Sequence, residues 1–143
     1  MKEKKTSEFI GSAIGNLIAI AFVNTVLLWH ERTHGVVLDA WIDILWAANL
    51  SLIVQIVGNI VLAVYRPARA YSLIQAVHSA VGLVSIIVFF VVFPLDFSQI
   101  GVGWLNTLLK AILIAAMAGT SIGIVVHVAR AASGVQYSVA PSK

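Results

Sequence analysis

The sequence predicts an all-α membrane protein: a transmembrane four-helix bundle running up-down-up-down, with both termini cytoplasmic and residues 1–143 forming one integral membrane domain. Three observations predict it. The chain is 60% hydrophobic and only 10% charged, with a mean hydropathy of +0.99; a water-soluble domain of this size needs a charged shell. Four apolar runs, at about 9–29, 40–65, 70–93 and 104–131, are each long enough to cross a hydrocarbon core of roughly 30 Å. The runs also carry polar and small residues at helical spacing. In the third run Tyr71, Gln75, His78, Gly82 and Ser85 recur at intervals of 4, 3, 4 and 3. That spacing gathers them on one helix face, which in lipid must turn towards other helices.

The first run follows a short basic segment ending at Glu8, with Thr6 or Ser7 as the expected N-cap. Phe9 to Trp29 would span about 31 Å at 1.5 Å per residue. It is too long for the apolar core of a signal peptide and lacks a small-x-small cleavage site, so it reads as a retained helix. Gly11 and Gly15 form a G-xxx-G pair, expected to seat a neighbouring helix closely, with Ser12, Asn16 and Ala19 alongside.

After a loop broken at Gly35, Asp39 is the expected N-cap of the second run, which carries the stripe Ala48, Ser51, Gln55 and Gly58 with Asn59 beside it. Arg66-Pro67-Ala68-Arg69 forms a tight turn, since proline cannot continue the helix. The third run ends at Phe93-Pro94-Leu95-Asp96-Phe97-Ser98. The fourth opens at Trp104 and carries Ala116, Thr120, Gly123, His127 and Arg130 in another stripe, with Gly119 and Gly123 as a second G-xxx-G pair.

Charge sets the expected orientation. Lys2, Lys4, Lys5, Arg66, Arg69, Arg130 and Lys143 fall on one side, against only Arg32 and Lys110 at the other. The positive-inside rule places the richer side, with both termini, in the cytoplasm of a cell-membrane protein. The basic residues flank apolar spans, which argues against a nucleic-acid partner. The chain has no cysteine, excluding disulfides, thiol catalysis and cysteine-ligated metal centres.

Candidate chemistry centres on the second and third runs. Folded as an antiparallel hairpin about Pro67-Ala68, residues equally far from the turn share one depth. Asn59 then meets the level of Gln75 and Tyr71, and Gly58 lies near His78. Gln55, Asn59, Gln75 and His78 are expected in one inner-leaflet layer, joined by Asn16 and Thr120 from the other helices. The structural reading is interhelical hydrogen bonding, worth about 0.6 kcal/mol per bond. The functional reading is a cavity for a small solute, ion or lipid head group.

His78 and His127 suggest a haem b pair. Depth argues against it: His78 lies about 7 Å and His127 about 16 Å from the middle of their spans. His30-Glu31-Arg32-Thr33-His34 matches H-E-x-x-H, in which His30 and His34 would bind zinc on a helix with Glu31 as general base, a third ligand coming from Asp39, Asp43 or Asp96. It sits at the end of a span beside Gly35, which favours an ordinary solvated loop. Glu3, Glu8, Glu31, Asp39, Asp43 and Asp96 all lie outside the spans or at their ends, which argues against a proton-coupled transporter. A transporter for a neutral or anionic solute stays open. There is no P-loop, dinucleotide fingerprint or interpretable Ser/His/Asp set.

The segment from Phe93-Pro94-Leu95-Asp96-Phe97-Ser98 through Trp104 into the Gly119–Gly123 helix resembles small, uncharacterised four-span membrane proteins of bacteria. These share an F-P-x-D-F-S-like loop before a last helix ending in Arg. The resemblance covers the last third of the chain. It implies four spans and brings no activity with it. The combined expectation is a non-enzymatic integral membrane protein, self-associating as a homo-oligomer or serving as an accessory subunit beside other membrane subunits. A ligand-binding bundle centred on His78 is the alternative.

Overall fold

A computed structural model of the protein describes residues 6–29, 31–65 and 68–133. Four long helices account for most of it: α1 (Thr6–Thr25), α2 (Trp41–Val64), α3 (Ala68–Val92) and α4 (Trp104–Ser133). Each is long and apolar enough to cross a membrane. Short 3₁₀ turns occupy Val26–Trp29, Glu31–Thr33 and Phe97–Ile100. The first α-helix stops at Thr25 and tightens into the 3₁₀ turn, four residues short of the expected end. Asp39 is not the cap of α2. That position falls to Ala40, which makes no side-chain bond; backbone carbonyls of Leu38 and Asp39 receive the N–H groups of Trp41 and Ile42 instead.

The helices pack in chain order, α1 on α2, α2 on α3 and α3 on α4. Among the described residues no comparable packing joins α4 to α1 or α2, so the bundle is open along one side. The core sits on α2, which packs on both α1 and α3. Its buried residues, Ile44, Ala47, Ser51, Gly58 and Leu62, fall at helical spacing on one stripe, with Asn59 beside Gly58. α4 contributes no buried residue.

One end of the array is tied together by its two loops. Val37 and Leu95 form an antiparallel bridge. Leu38 N donates to Pro94 O at 3.0 Å, and Asp96 N donates to Val36 O at 2.8 Å. Pro94 is fully buried there. Phe93, which ends α3 in the left-handed region at φ 39°, stands edge-on to Phe89, which in turn meets Trp41. Lys110 Nζ lies 4.6 Å from the centre of the Phe93 ring, so this cation, two turns into α4, rests on an aromatic face.

Asp96 organises this end. Its Oδ1 accepts from Ser98 N, Ser98 Oγ and Asn106 Nδ2, and its Oδ2 accepts from Gln99 Nε2. Asn106 Oδ1 in turn accepts from Phe97 N, fastening the first turn of α4 to the loop. The donors stabilise the ionised form: the Ser98 hydroxyl first, then Gln99, the Ser98 N–H and Asn106 hold the carboxyl well below the usual carboxylate range. A folded value below the unfolded one gives stability that is fully present above the ordinary carboxylate pKa of about 3.9 and is lost as pH falls through the folded value. Asp96→Asn should therefore lower the melting temperature of the micelle-solubilised protein at pH 7. The gap to wild type should narrow in acid below about pH 3.9; an unchanged gap at pH 3 and pH 7 would contradict this role.

Candidate functional site

The α1, α2 and α3 helices enclose a cavity of about 370 Å³. Ser12, Gly15 and Asn16 line it from α1, Gln55 and Asn59 from α2, and Gln75 and His78 from α3. α2 forms the floor, and α1 and α3 stand as walls that lack extended packing on each other. Five of the residues singled out by depth and spacing, Asn16, Gln55, Asn59, Gln75 and His78, are thus brought together.

Thr120 and His127 are not. Both lie half-buried on α4, which packs on α3 and does not reach the cavity. A closed bundle would have carried Thr120 across to Asn16; the open array leaves it outside. The four glycines expected to seat neighbouring helices also differ from expectation. A Cβ placed on Gly11, Gly15, Gly119 or Gly123 would meet no atom within 4 Å, so nothing in the described chain fills those faces.

Gly58 is the glycine that does bring helices together. A Cβ there would overlap the His78 ring, lying 2.7 Å from Cε1, and would come within 2.9 Å of Ile74 Cγ2. The imidazole is seated directly on the α2 backbone, as equal depth about the turn predicts. His78 Nε2 is buried and makes no hydrogen bond among the described residues, although the Val54 backbone lies close by. Gln55 Nε2 donates back along its own helix to Ser51 Oγ at 3.2 Å. The carboxamides of Asn16, Asn59 and Gln75 form no such bond among the described residues, and Asn59 is only 9% exposed. The cavity is therefore lined in part by carboxamides, those of Asn16, Asn59 and Gln75, whose hydrogen-bonding capacity is unspent.

One turn away from the cavity, on the same faces of α1 and α3, Phe9 and Tyr71 meet edge to face with ring centres 6.4 Å apart. Phe9 is 2% exposed. The aromatic pair lies beyond the end of the cavity away from the bridged loops.

Haem b does not fit this arrangement. His127 is absent from the cavity, and His78 Nε2 is covered by the α2 backbone at Gly58. The H-E-x-x-H segment does not form an α-helix. Glu31–Thr33 is a 3₁₀ turn, and His34 at φ 52° with Gly35 at φ 79° reverses the chain. The i, i+4 face required for zinc is lost at His34, while His30 lies outside the described residues. Among the described residues no three His, Cys, Asp or Glu side chains cluster as metal ligands.

A second polar contact was missed by the reading of the sequence. Asn24 and Asn49 exchange a reciprocal pair of amide hydrogen bonds at 2.8 and 3.1 Å, joining α1 to α2. Trp41 Nε1 adds a bond to Val23 O at 3.0 Å. Equal spacing about the turn does not pair them: Asn24 lies six residues before the loop at 30–39 and Asn49 ten after it, unlike Gly58 and His78 across the second turn.

The Gly58–His78 contact gives a direct prediction. Gly58→Ala should destabilise the protein by about 1–3 kcal/mol through overpacking, read as a thermal or denaturant shift in micelles. In a His78→Ala background the same change should cost far less, because the clashing ring is gone. Equal costs in both backgrounds would show that the ring does not sit on the α2 backbone. Comparison of the chain with protein-family models, with curated proteins and with solved structures gave no match.

Proposed function

We propose that this is a non-catalytic, multi-pass protein of the cell membrane that binds a small uncharged ligand in the cavity between α1, α2 and α3. In this reading the chain crosses the bilayer four times, up-down-up-down, with both termini cytoplasmic and the cavity in the cytoplasmic half. The observation that carries it is the convergence of unbonded carboxamides from three helices on one space of about 370 Å³. That volume lies within the range of ligand pockets, roughly 300–1,000 Å³. Side chains that served only to hold helices together would spend their hydrogen bonds on each other, as Asn24 and Asn49 do. No nucleophile with an adjacent base, and no carboxylate, lines the cavity, which favours binding over catalysis.

A second reading is favoured by a different observation. α4 buries no residue, and the glycine pairs on α1 and α4 face open space. Such faces suit close approach of another membrane helix, which supports self-association or a role as an accessory subunit of a larger membrane complex.

The absence of native cysteine makes the binding reading testable one position at a time. A thiol reacts as the thiolate, which forms where water reaches it and not in hydrocarbon. In membranes, Asn59→Cys and Gln75→Cys should react with methyl methanethiosulfonate about tenfold or more faster than Ile18→Cys, whose parent side chain is 66% exposed on the outside of the array. Cavity cysteines as inert as Ile18→Cys both in membranes and after delipidation in micelles would mean that the space is closed and holds no ligand.

A further inference from the structure

We infer that the cavity takes the uncharged, hydroxyl-bearing head group of a membrane lipid, entering sideways between α1 and α3. This rests on the reading of the cavity as a ligand site and adds the ligand class and the route. Four observations lead to it.

The lining holds no carboxylate, lysine or arginine: beside His78, Asn16, Asn59 and Gln75 each present both a carbonyl and an amino group. A phosphate, carboxylate or ammonium group would be desolvated there without a permanently charged partner, which is costly. Hydroxyls both give and accept, and so match carboxamides. Asn59 is 9% exposed and makes no hydrogen bond among the described residues, so one amide is held ready deep in the site.

The route follows from what is closed and what is open. Phe9 and Tyr71 meet across α1 and α3 beyond the end away from the bridged loops, narrowing approach from there. Along the wall, α1 and α3 lack extended packing on each other. Ser12 and Gly15 are exposed at that opening, and a Cβ on Gly15 would meet nothing within 4 Å. In a bilayer a side opening between two spanning helices faces lipid, not water. A ligand that arrives there has acyl chains, and its head enters over Gly15. The space, roughly that of a dozen water molecules at about 30 Å³ each, accommodates a head of sugar size.

Native mass spectrometry of the full chain in a detergent without a sugar head tests this with three added probes: a monoglucosyl diacylglycerol, a phosphatidylglycerol with the same acyl chains, and methyl glucoside. The wild type should retain the glucolipid about tenfold better than the phospholipid, and methyl glucoside should bind no better than the phospholipid. Gly15→Leu, whose Cβ would meet no atom within 4 Å and which places a better helix former at an exposed site, should lower glucolipid retention about tenfold without lowering the melting temperature. Asn59→Gln, which keeps the amide but moves it, should weaken retention while leaving the helices folded. Equal retention of both lipids, or an unaltered Gly15→Leu, overturns the head-group and route assignment but leaves a ligand site. Binding of methyl glucoside as tight as that of the glucolipid overturns the lipid source in the same way. Retention of none of the three by wild type overturns the lipid assignment, and the cysteine reactivities above then decide separately whether a hydrated site exists.

Discussion

A carboxamide or imidazole carried into hydrocarbon must face protein or enclosed water, and this constraint shapes the whole molecule. Its sharpest expression is His78 lying on Gly58. The imidazole can leave lipid only by approaching the α2 backbone, and only a residue without a side chain permits that approach. Once the ring is seated, α2 and α3 are held in register. Asn59 and Gln75 then fall at neighbouring depths, and the space between them becomes polar. Apolar attraction cannot set this register, because Leu and Val find lipid tails as congenial as each other. Sterics at a glycine and the cost of exposed polar groups set it instead.

The opposite end is organised by different physics. There the chain leaves the hydrocarbon, and a carboxylate with four donors becomes affordable. Asp96 gathers Ser98, Gln99 and Asn106 around itself, and the Val37–Leu95 bridge ties the two loops. The arrangement adds to the buried Val37, Ile44, Ala47 and Pro94 in fixing the spacing of the helices at this end. It also explains how α4 holds its place while burying no residue: it is fastened at its first turn through Asn106 and lies along α3 for the rest. The result is rigid at the loop end, floored by α2, and open between α1 and α3, which is where a cavity can form.

Much of this was legible in the sequence. Length and hydropathy found four helices, since a span in lipid is a long apolar run with few alternatives. The depth rule found Gly58 beside His78 and placed Gln55, Asn59, Gln75 and Asn16 near one another. What escaped had two causes. The order of helix packing is not encoded in any one helix: Gly11, Gly15, Gly119 and Gly123 have the spacing of contact residues whether or not a partner arrives, and Thr120 points towards a neighbour that the open array does not supply. Local turn chemistry also overrode motif spacing. His34 is positioned for a helical zinc face only if the helix continues, and Gly35 with the 3₁₀ turns before it ends that possibility. Asn24 and Asn49 escaped because they lie at unequal distances from the long first loop, so equal depth about a turn does not pair them.

The central claim is that α3 presents Gln75 and His78 to protein while Leu73, Val77 and Val84 face lipid. Those three apolar residues are 55%, 51% and 44% exposed in the single chain. Nitroxide labels placed singly at these five positions in bilayers measure it directly through their collision rates with dissolved oxygen, which concentrates in hydrocarbon. Labels at Leu73, Val77 and Val84 should collide freely, and labels at Gln75 and His78 should be shielded. If positions 75 and 78 prove as open to oxygen as 73 and 77, α3 is turned the other way and neither the helix register nor the cavity stands.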